Sequence, residues 1–395
     1  MREPGFPVFD ADNHLYESPD VLREYLPPQY RRDIQFVEVR GRARVAVKGQ
    51  ITDYMPNPTF ERVAAPGAHV EYYRGTNTEG RTMREMSGQP IDCPPGFREP
   101  EPRLALFDEL GVHRAHVFPT LANLLEYTLD GDPDLTHVAV HAVNEWLHDV
   151  WTFDYRDRIF TTPVITLPIV EEAVKEVEWA LARGAKAVLV RPAPVTGLRG
   201  SRSIALPEFD PVWARLEEAG VPVCMHASFP PLTGYYERWE PNRTDSAFES
   251  TPLKQLLLQH REVEDALAAM ICQGALTRFP RLKVLSVENG ADWAPHLMHQ
   301  LDIAYGRMPQ EFAEHPVEVF RRNVYVNPFW EDDVAGLVDL LGLEHVLFGS
   351  DYPHPEGLAE PLDYLDELDK FPTLDPGARR RIMSDNANAL LGLAA

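Results

Sequence analysis

Aspartate and histidine residues follow short apolar stretches at three separate places in this sequence. Asp12 and His14 follow the first stretch, two residues apart, so an extended backbone would project both side chains from one face. His226 and Asp351 each follow a later apolar stretch. Two imidazoles and two carboxylates form a ligand set that suits zinc, manganese or iron. The four residues are therefore predicted to bind a divalent cation if the ends of these stretches converge.

Each of the four residues has a simpler explanation when it is considered alone. A histidine at a strand end is usually hydrogen-bonded within the core, and an aspartate there usually caps a helix or a turn. Several carboxylates and imidazoles buried together without a counter-ion would cost on the order of several kcal/mol. Their joint occurrence at strand ends therefore favours a metal site over separate structural roles.

Three residues are candidates for catalysis and substrate binding. Asp351 would carry the proton of a metal-activated water. Glu288 also follows an apolar stretch, and it would act as a second acid/base or orient that water. We expect Glu288 to stay ionised beside a cation. Arg191 would bind a substrate carboxylate through a bidentate contact, with an ion pair to a neighbouring acid as the alternative.

The segments that would position these residues alternate between helix-like and strand-like patterns from residue 103 onward. Most strand-like segments are continuous apolar runs, as in parallel strands that are buried on both faces. The predicted strands are Phe6–Phe9, Val112–Phe118, Ile159–Leu167, Ala185–Arg191, Val221–Ala227, Leu282–Val287, Val324–Asn327 and His345–Phe348. The predicted helices are Arg103–Gly111, Asp134–Trp151, Glu171–Gly184, Asp210–Gly220, Arg261–Arg278, Asp292–Tyr305 and Asp332–Leu341. This alternation predicts a single (β/α)8 TIM barrel over residues 1–395.

An open, doubly wound sheet is the alternative fold. No G-x-G-x-x-G motif opens a helix after the first predicted strand, so a dinucleotide-binding version of that sheet has little support. Eight predicted strands are also the number that closes a barrel. The barrel is therefore the preferred interpretation.

The predicted barrel carries two unusually long connections. One covers residues 18–102, between the first strand and the first helix, and the other covers residues 228–260, after the fifth strand. Both follow the carboxyl ends of strands, where barrel enzymes have their active sites. Segment 18–102 is therefore predicted to be a lid over the barrel mouth, with aromatic residues such as Tyr72 or Tyr73 near the substrate. A surface subdomain or an oligomer contact is the alternative.

The chain resembles the amidohydrolase-related family, in particular the branch that contains aminocarboxymuconate-semialdehyde decarboxylase. The matching residues are Asp12 and His14, the Met-His pair that ends at His226, and the run FGSDYPH over 348–354. The resemblance covers most of the chain from residue 103 onward and the first strand. It implies a distorted TIM barrel, one catalytic divalent metal, and hydrolytic or non-oxidative decarboxylating chemistry. By position, it also implies that Asp12, His14, His226 and Asp351 are the metal ligands.

The chain departs from the pattern of that family at three positions. Asp12 replaces the first histidine of the common His-x-His opening, a variant that the family contains. Glu288 replaces the histidine that often serves as acid/base after the sixth strand. Arg191, and not a lysine, ends the fourth strand, so a carbamylated lysine that bridges two metals is not expected.

Four functions remain open at this point. The leading hypothesis is hydrolysis of a small, carboxylated organic substrate by a water that one metal activates, with zinc preferred over manganese or iron. The alternative on the same residues is non-oxidative decarboxylation, in which a protonated acid delivers a proton to carbon. A third hypothesis is a dinuclear iron or iron–manganese oxygenase, whose second metal would be bound by Glu17, Glu288, His354 and His260. The fourth is a non-catalytic, metal-bound subunit of a complex.

The composition excludes several classes of partner. A formal net charge of −23 argues against binding to nucleic acid or to anionic membranes. The three cysteines, Cys93, Cys224 and Cys272, are not at metal-binding spacing and suit a reducing cytoplasm. Neither a signal peptide nor a membrane span is predicted. We therefore expect a cytoplasmic homo-oligomer that acts on a small molecule.

Overall fold

Eight chain segments form a ring of parallel backbone pairings in the computed structural model, which describes residues 4–52, 57–197, 200–228, 233–241, 251–258 and 260–394. We number these segments in chain order as the first to the eighth barrel strand. They are Val8–Leu15, Val112–Pro119, Ile159–Thr161, Val188–Leu189, Val223–His226, Val284–Val287, Val324–Val326 and residues 346–352. The last segment bonds to both of its neighbours without forming a regular strand.

The ring closes through a few backbone bonds at the places where regular pairing ends. The third and fourth barrel strands are joined by the Ile165 amide, which donates to the Leu189 carbonyl at 2.8 Å. At the closing seam, which we define as the junction of the seventh, eighth and first barrel strands, the Leu347 amide donates to Val326 at 3.0 Å and the Ala11 amide donates to Phe348 at 2.9 Å. The predicted TIM barrel is therefore confirmed.

The seven predicted helices form around this ring with small changes in their bounds. They are Pro100–Leu110, Pro133–Trp151, Val170–Ala182, Asp210–Ala219, Arg261–Cys272, Trp293–Arg307 and Val334–Leu341. The predicted helix over 261–278 breaks after Cys272, because Gly274 has φ of +75° and ends the first helix before Ala275–Arg278 begins. The first barrel strand is longer than predicted, since it continues through Asp12 and His14.

The sequence analysis did not predict the shorter elements. Additional helices are Val70–Tyr73, Met83–Met86, Ala122–Thr128, Thr233–Tyr236, Pro252–Leu258, Ala275–Arg278, Pro316–Asn323, Tyr364–Leu368, Pro376–Arg380 and Asn386–Leu390. Single 3₁₀ or π turns are Val21–Tyr25, Pro95–Phe97, Pro207–Phe209, Pro309–Glu311, Leu343–His345, Pro361–Asp363 and Arg381–Asp385. Short antiparallel strands are Ile34–Val39, Arg42–Val47 and Gln50–Thr52 in one sheet, and Arg62–Val63 with Ile91–Asp92 in another.

Both long connections have structure of their own. The insertion 18–102 contains the short antiparallel strands, and it bonds to the carboxyl end of the eighth barrel strand through the His69 amide, which donates to the Pro355 carbonyl at 2.7 Å. Its far end bonds to the first barrel strand, because the Tyr16 amide donates to the Phe97 carbonyl at 2.9 Å. In the connection 228–260, residues 229–232, 242–250 and 259 lie outside the described residues.

The alternation of side chains along the fifth barrel strand decides where His226 points. Val223 and Met225 pack with residues of the outer helices, such as Trp213 and Leu267. Cys224 packs with a different group of residues from the neighbouring strands. Since side chains alternate along a strand, His226 projects on the same side as Cys224 and away from the outer helices.

None of the helices among the described residues combines the length and the apolar character that a membrane crossing requires.

The closing seam leaves no room for a side chain at Gly349. A Cβ atom there would lie 2.4 Å from the Cβ of Asp12 and 2.6 Å from the side chain of Asn327. We predict that Gly349→Ala lowers the free energy of unfolding by about 1–3 kcal/mol, as overpacking of a core does. Urea unfolding would measure this change.

Gly306→Ala is the matched control for that substitution. Gly306 lies within the helix Trp293–Arg307, and a Cβ there would meet no atom within 4 Å. Alanine at this position should stabilise the protein by about 0.5–1 kcal/mol. Equal stabilities of the two variants would contradict the tight packing inferred for the seam.

Candidate metal centre and active site

The four predicted ligands lie together at the carboxyl ends of the first, fifth and eighth barrel strands. The Nε2 atoms of His14 and His226 are 3.0 Å apart. Oδ1 of Asp12 lies 3.5 Å from Nε2 of His14 and 3.7 Å from Nε2 of His226. Oδ1 of Asp351 lies 3.5 Å from Nε2 of His14. All four side chains are buried, and Nε2 of His14 lies within 3.5 Å of a donor atom of each of the other three.

Two further residues border this group. Oε2 of Glu288 is 3.0 Å from Nε2 of His226, and Nδ1 of His354 is 2.8 Å from Oδ1 of Asp351. Donor atoms of His14, Glu288, Asp351 and His354 lie within 4.8 Å of one another, as do those of Asp12, His14 and His226. Glu288 and His354 are therefore placed where a second cation or a substrate would contact them.

The other two residues suggested for a second metal have different surroundings. Both carboxylate oxygens of Glu17 accept backbone hydrogen bonds, from Leu121 at 2.9 Å and from Ala122 at 3.0 Å. Glu17 thus caps the amino end of the helix Ala122–Thr128. His260 precedes the helix Arg261–Cys272, and its ring lies 5.9 Å from that of Phe329. Neither residue belongs to the two groups of donor atoms found among the described residues.

Arg191 follows the fourth barrel strand, beside two acidic residues. Its guanidinium lies 5.5 Å from the ring centre of Tyr127. Its charge lowers the pKa values of Glu126 and Glu262, although burial is the larger effect and raises both. These surroundings fit the ion-pair alternative for Arg191 better than a contact with substrate.

A β-bulge in the first barrel strand sets the direction of Asp12 and His14. The register with the second barrel strand shifts between Asp10 and Asn13. Oδ1 of Asp10 accepts from the Asp12 amide at 3.2 Å, and Oδ2 accepts from the Asn13 side chain at 2.9 Å. Asp10 also accepts two bonds from Ser350 across the closing seam, at 2.6 and 2.9 Å. Bulges re-aim side chains next to active sites, and this bulge is held by the carboxylate of Asp10.

Two residues of the site have strained backbones. Glu288 has φ of +55° and Asp351 has φ of +56°, in the left-handed region that non-glycine residues rarely adopt. Such a conformation costs on the order of 1–3 kcal/mol and persists where the surroundings impose it. In both cases the strained residue ends a barrel strand and projects toward the cluster. The strain therefore marks these two positions as functional candidates.

The carboxylates of the site repel one another. Burial, and then the charge of Asp351, raises the pKa of Glu288 well above its ordinary value. Burial, and then the charge of Asp12, raises the pKa of Asp351 in the same way. Burial also acts to raise the pKa of Asp12, but its interactions with His14 and His226 hold that pKa below the ordinary value. The site therefore concentrates more negative charge than the buried protein can hold ionised.

The imidazoles are suited to bind a cation. Burial lowers the pKa values of His14 and His354, so both rings are neutral, as metal ligands must be. Nδ1 of His226 lies 2.7 Å from the Ala227 carbonyl, and a hydrogen bond there leaves Nε2 as the nitrogen that can accept a metal. Burial acts to lower the pKa of His226, but Glu288 and Asp12 raise it overall.

The donor set fits a divalent cation. Four of the buried atoms that lack a hydrogen-bond partner among the described residues belong to this cluster: Oδ1 of Asp12, Nδ1 of His14, Oδ1 of Asp351 and Nδ1 of His354. The last two are 2.8 Å apart but are not aligned for a hydrogen bond. Buried polar atoms are rarely left without partners, and a bound cation would supply one for the carboxylates.

The sequence analysis missed two residues that face the cluster. Glu356 has a buried carboxylate oxygen with no hydrogen-bond partner among the described residues, and its charge raises the pKa values of Glu288 and Asp351. His116 lies beneath the cluster, where burial lowers its pKa to about 3 and Thr162 lies 2.6 Å from its Nε2. Neither residue could be recognised from the sequence. Glu356 lies in a loop rich in proline and glycine, His116 lies inside a strand, and neither has a spacing to other polar residues that indicates a function.

The comparison with known families agrees with this architecture. The model of the family described as amidohydrolase matches residues 10–393. A crystal structure of an amidohydrolase from Mycobacterium avium subsp. paratuberculosis is 38% identical, covers 98% of this chain and 99% of that chain, and superposes with a TM-score of 0.90. The chain belongs to the amidohydrolase family. The resemblance inferred from the sequence is therefore confirmed.

Two other relatives are more distant. Dihydroxybenzoic acid decarboxylase from Polaromonas, crystallised with manganese and the inhibitor 2-nitroresorcinol, is 15% identical, with 98% of this chain and 97% of that chain covered and a TM-score of 0.64. Its likeness shows the fold alone. 2-Amino-3-carboxymuconate-6-semialdehyde decarboxylase from Dictyostelium discoideum is 27% identical over 135 residues, which are 32% of this chain. That match spans only 36% of the length of the decarboxylase.

Removal of His226 tests the metal centre. We predict that His226→Ala loses bound metal and activity together, since the remaining carboxylates would face one another with one ligand fewer. Metal content is measured by mass spectrometry of the purified protein.

His345→Ala provides a matched control. His345 is also buried, and its Nδ1 lies 2.9 Å from a backbone carbonyl, that of Val324, as Nδ1 of His226 does from Ala227. It ends the turn Leu343–His345, just before the eighth barrel strand, and lies away from the cluster. The control should keep its metal, and full metal occupancy in His226→Ala would refute the assignment.

Proposed function

We propose that this protein is a metal-dependent, non-oxidative decarboxylase of a small carboxylated acid, aromatic or unsaturated. The observation that carries the proposal is the carboxyl group of Glu288, which is 19% exposed, lies next to the candidate metal centre and has a pKa well above its ordinary value. Decarboxylation needs an acid that delivers a proton to carbon, whereas hydrolysis needs a base that takes a proton from water. The names of two relatives, both decarboxylases, support the same reaction.

The proposed metal ligands are Asp12, His14, His226 and Asp351. Their two carboxylates would balance both charges of a divalent cation, and both histidines would bind it in their neutral form. Glu288 would then face a centre without net charge, and burial with the nearby charge of Glu356 would keep it protonated. Manganese is our first choice of metal, because carboxylate and imidazole ligands suit it and the Polaromonas relative binds it. This replaces zinc as the expected metal.

The residues of the chain would perform the reaction around that centre. A divalent cation bound by these residues would polarise the oxygens of the substrate. Glu288 would donate its proton to the carbon that carries the carboxylate, the C–C bond would break, and carbon dioxide would leave. The electron pair of the broken bond restores the unsaturation of the product. Solvent would then return a proton to Glu288.

We further propose that insertion 18–102 acts as the lid of this site. The Gly67 and His69 amides bond to the carbonyls of His354 and Pro355, which places the helix Val70–Tyr73 above the eighth barrel strand. Burial, and then the charges of Glu356 and Glu288, raises the pKa of Tyr73, so its hydroxyl lies near the acidic residues of the site. Exclusion of water by such a lid would favour protonation of carbon over hydrolysis.

The reaction is tested with the manganese-loaded protein and a panel of hydroxylated benzoates. Release of carbon dioxide, with formation of the matching phenol, is the expected result. The same protein is assayed with amides and esters of these acids. Hydrolysis of those compounds without release of carbon dioxide would overturn the proposal in favour of the hydrolase hypothesis.

The role of Glu288 is tested separately by Glu288→Gln. Glutamine keeps the shape and most hydrogen bonds but has no proton to donate, so turnover should fall by roughly 10²–10⁴-fold. Metal content and fold should be unchanged if Glu288 is an acid and not a ligand. Loss of about one metal per chain would instead support the dinuclear alternative.

Glu176→Gln is the control for this substitution. Glu176 is buried and accepts hydrogen bonds from Asn144 and His141, both at 2.7 Å, within the outer helices. Its replacement should leave turnover unchanged. Wild-type turnover in Glu288→Gln would leave Glu288 with a structural role only.

A further inference from the structure

Arg103 carries a fully buried positive charge behind the metal-binding bulge. It lies in the first turn of the helix Pro100–Leu110. Its guanidinium donates to the Gly96 carbonyl, to the side-chain oxygen of Asn13, and to the His14 carbonyl at 2.6 Å. Among the described residues, none of these acceptors is a carboxylate. A buried cation that bonds only to neutral groups is costly, so its position requires a reason.

Asn13 connects this cation to a carboxylate. Its side-chain oxygen accepts from Arg103, and its side-chain nitrogen donates to Oδ2 of Asp10 at 2.9 Å. Asp10 in turn accepts from the hydroxyl of Ser350 at 2.6 Å and from the amide of Ser350 at 2.9 Å. A continuous chain of hydrogen bonds thus runs from Arg103 to the residue that precedes Asp351.

The surroundings of Arg103 allow little movement. Four aromatic rings lie about its guanidinium, with ring centres at 5.6 to 5.9 Å: those of Phe97, Phe107, Trp151 and Tyr352. Burial lowers the pKa of Arg103 to about 10, which leaves it charged at neutral pH. Its planar fork donates to three oxygens in fixed directions, and a lysine ammonium cannot reproduce that geometry.

We propose that Arg103 is a positioning residue of the metal centre. It binds the side chain of Asn13, which in turn donates to Asp10, and it binds the carbonyl of His14, so it holds the carboxyl end of the bulge between Asp10 and Asn13. Its bond to the Gly96 carbonyl ties the same bulge to the end of the insertion. The inference rests on the metal centre of the proposed function and is independent of the reaction catalysed.

The test compares metal binding by Arg103→Met and Arg103→Lys with that of the wild type. Manganese affinity is measured by titration, and coordination geometry is read from the visible absorption of the cobalt(II)-loaded proteins. We expect both variants to bind manganese about 10–100-fold more weakly, because residues that orient metal ligands through hydrogen bonds contribute about that much to affinity. We also expect the absorption bands of the cobalt-loaded variants to shift. Lysine should not rescue the affinity, because it keeps the positive charge but lacks the planar guanidinium that donates to three oxygens.

Arg114→Met is the matched control. Arg114 lies in the second barrel strand, and its guanidinium bonds to Asn388 and to the Ala394 carbonyl, both at 2.6 Å, away from the cluster. This variant should lose stability but keep the wild-type manganese affinity and cobalt spectrum. An equal loss of affinity in Arg114→Met would mean that general destabilisation explains the result, which would overturn the proposal.

The remaining outcomes also decide the question. Folded Arg103 variants with wild-type affinity and cobalt spectrum would overturn the positioning role. If neither variant folds, Asn13→Ala breaks the same chain of bonds without removing the buried charge, and unchanged affinity there would overturn the role as well. A wild-type protein that binds no manganese or cobalt would refute the metal centre itself, which separates that failure from this one.

Discussion

The hydrogen bonds that Asp10 accepts across the closing seam are the interaction on which the site depends. They join the first barrel strand to Ser350, and so bring Asp12 and His14 beside Asp351 although more than three hundred residues separate them. A parallel barrel can close only if its last segment meets its first. Here the seam has few regular ladder bonds, and a buried carboxylate supplies part of the connection. Closure of the barrel and assembly of the proposed metal centre are therefore one event.

The charges of the site explain its other features. Carboxylates at the ends of three barrel strands lie within a few ångströms of imidazoles, and most of these groups are buried away from the water that would screen them. Such an arrangement is stable only if a cation enters or if some carboxyl groups take up protons. Both responses suit the proposed reaction, since a cation can bind the ligands while Glu288 holds a proton. The left-handed backbones of Glu288 and Asp351 are the conformational cost of pointing these groups inward.

The resemblance to the family places Glu288 where a histidine often stands after the sixth barrel strand. An imidazole after the sixth barrel strand changes its charge near neutral pH, whereas a glutamate does so only when its surroundings raise its pKa. The surroundings of Glu288 act in that direction, through burial and through Asp351. A carboxyl group can therefore take the role of proton donor without any change in the barrel. The hydrolase hypothesis assumed an ionised Glu288, which this environment disfavours in the protein alone.

The sequence by itself determined the alternation of strands and helices, the barrel, and the types of residue at the strand ends. These follow from local patterns, because apolar runs and the two-residue spacing of Asp12 and His14 are properties of neighbouring residues. The backbone partners of Glu17 and the acidic neighbours of Arg191 could not be read in this way, because they come from other elements of the fold. Only the tertiary structure decided the bulge at Asp10, the burial of Arg103 and the raised pKa of Glu288, since each depends on groups that are distant in sequence.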